Sequence, residues 1–516
     1  MPVRPPGDKD LRSVAEHYRL GLPDERLADY APFVTGLLSS WDVLETLYAR
    51  TAPPQRDDRK WHRPDDADNP LGAWYVRTEI TEGGDGPLAG RTVAIKDNTT
   101  VAGVPMMNGS ETVEGFVPTR DATVVSRLLA AGATITGKAV CEDLCFSGSS
   151  FTSRPAPVRN PWDPSRSSGG SSSGSAALVA SGAVDMATGG DQGGSVRIPS
   201  AFSGIVGHKP THGLVPYTGA FPIELTIDHL GPMTRTVADA ALMLSVMAGD
   251  DGLDPRQPVG IKGEDYVAAL ASPATGLRIG VVSEGFGTPV SDPGVDDAVR
   301  AAVETLRGAG LSVDEVSVPW HADAVHVWNV IATEGATAQM VDGNGYGRNY
   351  AGLYDPELIE YYGRQWRDRS ERFSKTVKLV LLAGRHALDT EQGRHYAMAR
   401  NLAYELRAAY DAALADHDVL VMPTLPITAT PIVAEDAPLD EYLGRALEML
   451  GNTAPFDVTG HPATSVPAGL VGGLPAGLMI VGRRFDDATC LRVAKALEQA
   501  VGGFPSPPST HGEGGS

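Results

Sequence analysis

Short apolar runs that alternate with helix-period segments constrain this chain more than any other feature of it. TVAIK, ending at Lys96, reads as a buried strand, a helical stripe follows over 123–131, and ATITG is a second strand. LRIGVV, a helix over 295–307 and LSVDEVSV repeat the scheme. A helix before His417, the strand DVLVMP, and the closing LMIVG with a helix over 486–500 repeat it again. Neither element can bury its apolar side alone, so alternation of this kind layers helices against a sheet. The spacing predicts an α/β fold around a mixed sheet. The chain has 516 residues, enough to bury a large core.

The N-terminal part follows a different pattern. Leu11, Val14, Ala15 and Tyr18 share one helical face, and Leu37, Leu38, Trp41, Leu44, Leu47 and Tyr48 form a second stripe. The polar, proline-bearing TAPPQRDDRKWHRPDDADNP then reads as a linker. We therefore expect a helical extension and linker over 1–71, a main body over 72–501 and a disordered tail over 502–516. Apolar stripes must pack on something, and a homodimer built through residues 11–48 is the expectation. The net charge of −21 disfavours phosphate backbones and anionic lipid, so neither nucleic acid nor membrane is an expected partner. No run of about 18 apolar residues occurs. Three cysteines cannot form a disulfide framework, which fits a reducing cytoplasm. Cys141 and Cys145 have no second ligand pair nearby, so they read as buried thiols and not as a metal site.

Serine and glycine concentrate between Ser167 and Thr211. The run SSGGSSSGS could be a flexible linker, but an apolar helix (AALVA) and a strand (VDMAT) follow it at once. Gly170 to Gly174 also matches G-x-S-x-G, which would make Ser172 the nucleophile of an α/β-hydrolase elbow with His208 or His461 as base. That elbow needs a preceding strand, and NPWDPSRSS is full of turn formers.

Three ordered segments carry a sharper resemblance: GGSSSGS at 169–175, DQGGSVRIP at 191–199 and GHKPT at 207–211. Upstream stands VAIKDN at 93–98, and downstream GHPA at 460–463 and GLPAG at 473–477. Together they resemble the amidase-signature family over roughly residues 72–500, closest to its broad-specificity, enantioselective bacterial amidases. The resemblance implies a mixed twisted sheet with helices on both faces and needs no cofactor or metal. It implies Ser195 as nucleophile, Ser171 as the bridging serine after a cis peptide bond, and Lys96 as base. It also implies an oxyanion hole from the backbone of Gln192, Gly193 and Gly194. Gly170, Ser172, Asp191 and Arg197 would support the loop, and Phe146, Ile227, Trp328 and Leu450 would line the acyl pocket.

The residue types suit that chemistry. A serine hydroxyl is a weak nucleophile until a base takes its proton, and a lysine can do so only as the neutral amine, which burial away from carboxylates favours. Asp97 follows Lys96 directly, but successive strand side chains point to opposite faces, so no contact between them is expected. Asp191 and Arg197 bracket the nucleophile and could pair to hold its loop. His208 is expected in a turn. Ser173 and Met479 depart from the family's usual glycine and glutamine. The implied reaction is hydrolysis of a small-molecule amide through an acyl-enzyme. One component of a tRNA-dependent amidotransferase and an aryl-acylamide or carbamate hydrolase resemble the same family and stay open at this stage.

Overall fold

Two units make up the chain, residues 1–55 and 56–516. The computed structural model describes residues 4–348 and 351–508. The first unit is a helical pair, α1 (Asp8–His17) and α2 (Asp24–Ala49). Arg12 clamps the start of α2 through two bonds to Asp24, at 3.0 and 2.7 Å. Apolar side chains of this pair stand exposed, including Tyr18, Phe33, Leu37, Trp41 and Leu44.

The second unit begins before residue 72, inside the stretch whose composition suggests a linker. Arg59 is buried and bonds to Asp121 at 2.6 and 2.8 Å and to Glu82 at 3.1 and 2.9 Å. Trp61 and His62 pair in register with Thr78 and Arg77. Proline and charge mark this stretch as irregular, yet its arginine is buried and its backbone extends the sheet.

Among the described residues the sheet has twelve strands: β1 (Trp61–His62), β2 (Trp74–Ile80), β3 (Thr92–Lys96), β4 (Thr134–Ala139), β5 (Met186–Asp191), β6 (Val206–Lys209), β7 (His229–Thr234), β8 (Arg278–Val282), β9 (Ser312–Val316), β10 (Val419–Pro423), β11 (Ala463–Val471) and β12 (Leu474–Gly482). They lie in the order β1-β2-β4-β3-β5-β7-β6-β11-β12-β10-β8-β9. β3 is parallel to β4 and β5, whereas β7, β6, β11 and β12 pair antiparallel, so the sheet is mixed. Alternate side chains enter different apolar clusters: Val419 and Val421 one, Leu420 and Met422 the other. Leu478 and Ile480 separate from Met479 and Val481 in the same way. Period-two alternation between two clusters places a core on each face of the sheet. The fold is α/β, as the alternation predicts.

Two features of this frame position the site. Strands β3 and β5 run parallel, with Val93 opposite Met186 and Ala94 opposite Ala187, which brings Lys96 beside the last residues of β5, just before the loop that follows Asp191. The glycine-serine segment is no linker. It is buried throughout and, after α3 (Thr123–Ala130), leads into α4 (Ser173–Ala180); the loop that follows β5 leads likewise into α5 (Arg197–Ser203). Of the tail expected over 502–516, residues 509–516 lie outside the described residues. No helix among the described residues is long and apolar enough to cross a membrane.

Candidate active site

Lys96 is the last residue of β3 and is fully buried. Its Nζ donates to Ser171 Oγ at 2.8 Å and to Gly190 O at 3.2 Å. Among the described residues no carboxylate pairs with it. The neighbouring Asp97 points to the other side, forming an ion pair with Lys138 at 2.8 Å and accepting from Met107 and Asn108 N–H at 2.8 Å each. Burial pushes the Asp97 carboxyl up and Lys138 pulls against it.

Ser171 lies in the loop that enters α4, and the Gly170–Ser171 peptide bond is cis. Ser172 N–H donates to Ser195 O at 3.3 Å, which ties the serine-rich segment to the second serine loop. The Ser172 hydroxyl bonds to the Gly190 backbone at 3.2 Å in both directions, as donor to O and acceptor from N–H. This is the geometry of a support residue, and it leaves the elbow reading without its catalytic contact. His208 bonds to Thr464 and Asp487, and His461 to Thr459 and Asp411, neither to Ser172. His208 also sits within β6 and not in a turn, because the strand continues through GHK to pair with β11.

The loop from Asp191 to Arg197 is held from below by charge. Asp191 accepts from Arg197 Nε at 3.0 Å and Nη2 at 2.9 Å, and from Gly194 and Val196 N–H at 2.6 and 3.0 Å. Arg197 also donates to Asp457 at 2.8 Å, to Thr453 O at 2.8 Å and to Met479 Sδ at 3.5 Å. All three ionisable side chains are buried. Burial pushes the Asp191 carboxyl up, but the Arg197 guanidinium outweighs it and holds the group down to about 2. Asp457 moves the opposite way, pushed well up by burial and by Asp191.

The oxyanion expectation needs one change. The N–H of Gly194 is committed to Asp191, because a buried carboxylate with one guanidinium partner still needs donors. Gln192, Gly193 and Ser195 have N–H groups with no hydrogen-bond partner among the described residues. Two carbonyls of the loop are anchored instead: Gln192 O accepts from Trp328 Nε1 at 2.6 Å, and Gly193 O from Thr453 Oγ1 at 2.6 Å. Gly193 is required by that packing, since a Cβ would stand 2.6 Å from Trp328 Cζ2.

Ser195, Gln192 and Gly193 open onto a narrow cavity. Phe146, Ile227, Trp328 and Leu450 all line it, with Ile223, Ala332, Leu447, Cys145 and Ser147. No Asp, Glu, Lys or Arg is among its lining residues. Sequence reasoning missed Asp457 and Thr453, which lie some 260 positions from the loop they hold and carry no local signal. It also passed over Cys145 as a plain core thiol, although the residue lies on the cavity wall and bonds to Asn108 Oδ1 at 3.2 Å. Among the described residues no cluster of His, Cys, Asp and Glu has the arrangement of a metal site.

Comparison with known proteins finds relatives that span most of the chain. The profile of the family described as Amidase matches residues 42–491. An enantioselective amidase of Rhodococcus rhodochrous is 61% identical over 98% of both chains. A glutamyl-tRNA(Gln) amidotransferase chain of Exiguobacterium sibiricum is 39% identical over 83% of this chain and 88% of its own. Among solved structures, the peptide amidase of Stenotrophomonas maltophilia superposes with a TM-score of 0.68 and 31% identity, covering 83% of this chain and 86% of that one.

Proposed function

This chain belongs to the amidase-signature family and is a hydrolase of amides, and from that premise we propose that Ser195, Ser171 and Lys96 carry the reaction on neutral aliphatic and aromatic amides. The observation that carries this reading is the 2.8 Å bond between Lys96 Nζ and Ser171 Oγ, at a lysine buried away from carboxylates. Ser195 Oγ attacks the substrate carbonyl carbon. Its proton passes by way of Ser171 to Lys96. Backbone N–H groups of Gln192 and Gly193 receive the developing oxyanion; one such donor typically contributes about 3 kcal/mol at the transition state. Collapse of the tetrahedral intermediate returns the proton to the leaving nitrogen, and ammonia departs. Water then hydrolyses the acyl-enzyme by the same relay, releasing the carboxylate.

The cavity argues for neutral substrates. Each buried methylene gains about 0.8 kcal/mol there, whereas a carboxylate without a partner loses several. The test compares kcat/KM for propionamide, benzamide, malonamate and glutamine under one condition. Neutral amides lead; a lead by malonamate or glutamine would overturn the pocket assignment. The 61% identity to an amidase, against 39% to an amidotransferase chain, favours a free-standing hydrolase over the tRNA-dependent reading.

Residues 1–55 serve assembly in this reading, residues 56–501 catalysis, and the protein is a cytoplasmic homodimer. The support is the apolar surface left exposed on α1 and α2. Light scattering that finds a monomer, unchanged by removal of residues 1–50, would contradict it.

A further inference from the structure

Gln192 has a second resource besides its backbone. Gln192 lines the same cavity as Ser195 and is 3% exposed. Nε2 donates to Tyr217 OH at 3.0 Å. The one proton of that hydroxyl goes to Phe221 O at 3.2 Å, so toward Gln192 the tyrosine can only accept. This fixes which way the carboxamide faces: nitrogen to Tyr217, oxygen away from it. Oε1 is buried and has no hydrogen-bond partner among the described residues. A buried acceptor of this kind is costly unless something bonds to it. The carboxamide nitrogen stands next to the relay. A Cβ on Gly190 would stand 3.3 Å from Lys96 Nζ and 3.6 Å from Gln192 Nε2, so the two side chains flank one point beside the strand end.

We propose that Gln192 Oε1 accepts a hydrogen bond from the N–H of the substrate's carboxamide and so selects primary amides over esters and dialkyl amides. The inference rests on Ser195 being the nucleophile. The rest of the cavity wall is apolar at Phe146, Ile227, Trp328 and Leu450, so the carboxamide is the part of a neutral substrate that can meet this acceptor. An ester oxygen or a dialkyl nitrogen has no proton to offer, and would leave Oε1 unpaired. A site that bonds a donor discriminates strongly against the analogue lacking it. The bond holds one substrate N–H through the reaction. The nitrogen keeps both hydrogens, gains a third from the Lys96–Ser171 relay, and leaves as ammonia.

The test uses the full-length enzyme and a matched pair, benzamide and methyl benzoate. Turnover is read as the ratio of their kcat/KM values, and binding as the ratio of their Kd values to Ser195→Ala protein. Gln192→Met, which keeps volume and loses the acceptor, lowers both amide-to-ester ratios about tenfold. Gln192→Glu, which keeps an acceptor oxygen, restores most of the preference. Ratios that move less than twofold in Gln192→Met overturn the proposal, as does a Gln192→Glu enzyme no better than Gln192→Met. Failure of the underlying reading looks different: wild-type Ser195 would then resist fluorophosphonate labelling.

Discussion

Replacing Arg197 by methionine isolates the charge that holds the nucleophile loop. In the wild type the guanidinium is fully buried and spends its donors on Asp191, Asp457, the Thr453 carbonyl and Met479. Removal leaves Asp191 buried with its strongest partner gone and Asp457 beside it, a situation that typically costs about 3–5 kcal/mol. Part of that cost is escaped if Asp191 takes up a proton, but a neutral acid holds the Gly194 and Val196 N–H groups less well, so the loop loosens as the charge goes. A chain of this size does not unfold in one step, so the thermal transition of the main body and the rate of fluorophosphonate labelling are the quantities to follow. Arg197→Met lowers the transition by several degrees and slows labelling at least tenfold. Asp191→Asn combined with Arg197→Met removes both charges and recovers part of the lost stability, giving a coupling above about 1 kcal/mol. Acid titration supplies the sign. The folded Asp191 carboxyl is depressed from 3.8 to about 2, so its contribution is present above pH 3.8 and is lost as pH falls through 2. That acid-side loss is absent from Arg197→Met. A single variant as stable as wild type, or a double variant no better than the single, would refute the reasoning.

Ser195→Ala abolishes fluorophosphonate labelling, while Ser172→Ala leaves it detectable; label recovered on Ser172 would restore the elbow mechanism. Gly193→Ala drives a Cβ to 2.6 Å from Trp328, whose ring is pinned by its bond to Gln192 O, so kcat falls more than tenfold; unchanged kcat shows that the indole is free to move. Lys209 is buried, and burial lowers it from 10.5 to about 8. The unfolded state binds more protons between those values, so this group makes stability rise with pH there, by about 3 kcal/mol at most. Lys209→Met flattens that rise in urea titrations at pH 7.5 and 10; an identical pH response in the variant rules the assignment out.

Parts of this fold are legible because burial leaves a local imprint. TVAIK and DVLVMP are short apolar runs, and they emerge as β3 and β10. The final strand is longer than LMIVG suggests, running from Leu474, because Pro475 and Gly477 mask four residues whose backbone nonetheless pairs with β11. Residues 56–71 mislead for the opposite reason: their composition is that of a loop, but Arg59 finds two carboxylates that sequence cannot place near it. The serine and lysine positions come from ordered motifs. The fate of the Gly194 N–H does not, since it depends on where the Asp191 carboxylate turns.

Sequence distance explains why the loop's supports stay hidden while the proposed triad does not. Lys96, Ser171 and Ser195 lie on neighbouring pieces of one strand-loop-helix frame, where β3 and β5 run parallel. Asp457, Thr453 and Trp328 come from other elements and meet the loop only through the tertiary fold. Their bonds take up Arg197, the Gly193 carbonyl and the Gln192 carbonyl, so the polarity of these supports is spent away from the cavity. On the reading proposed above, what the loop directs at a substrate is spare: its backbone N–H groups, the Ser195 hydroxyl, and the acceptor on the Gln192 side chain. An apolar wall that offers so few polar atoms discriminates by what the substrate brings to them, and a neutral carboxamide supplies both the carbonyl and the N–H they need.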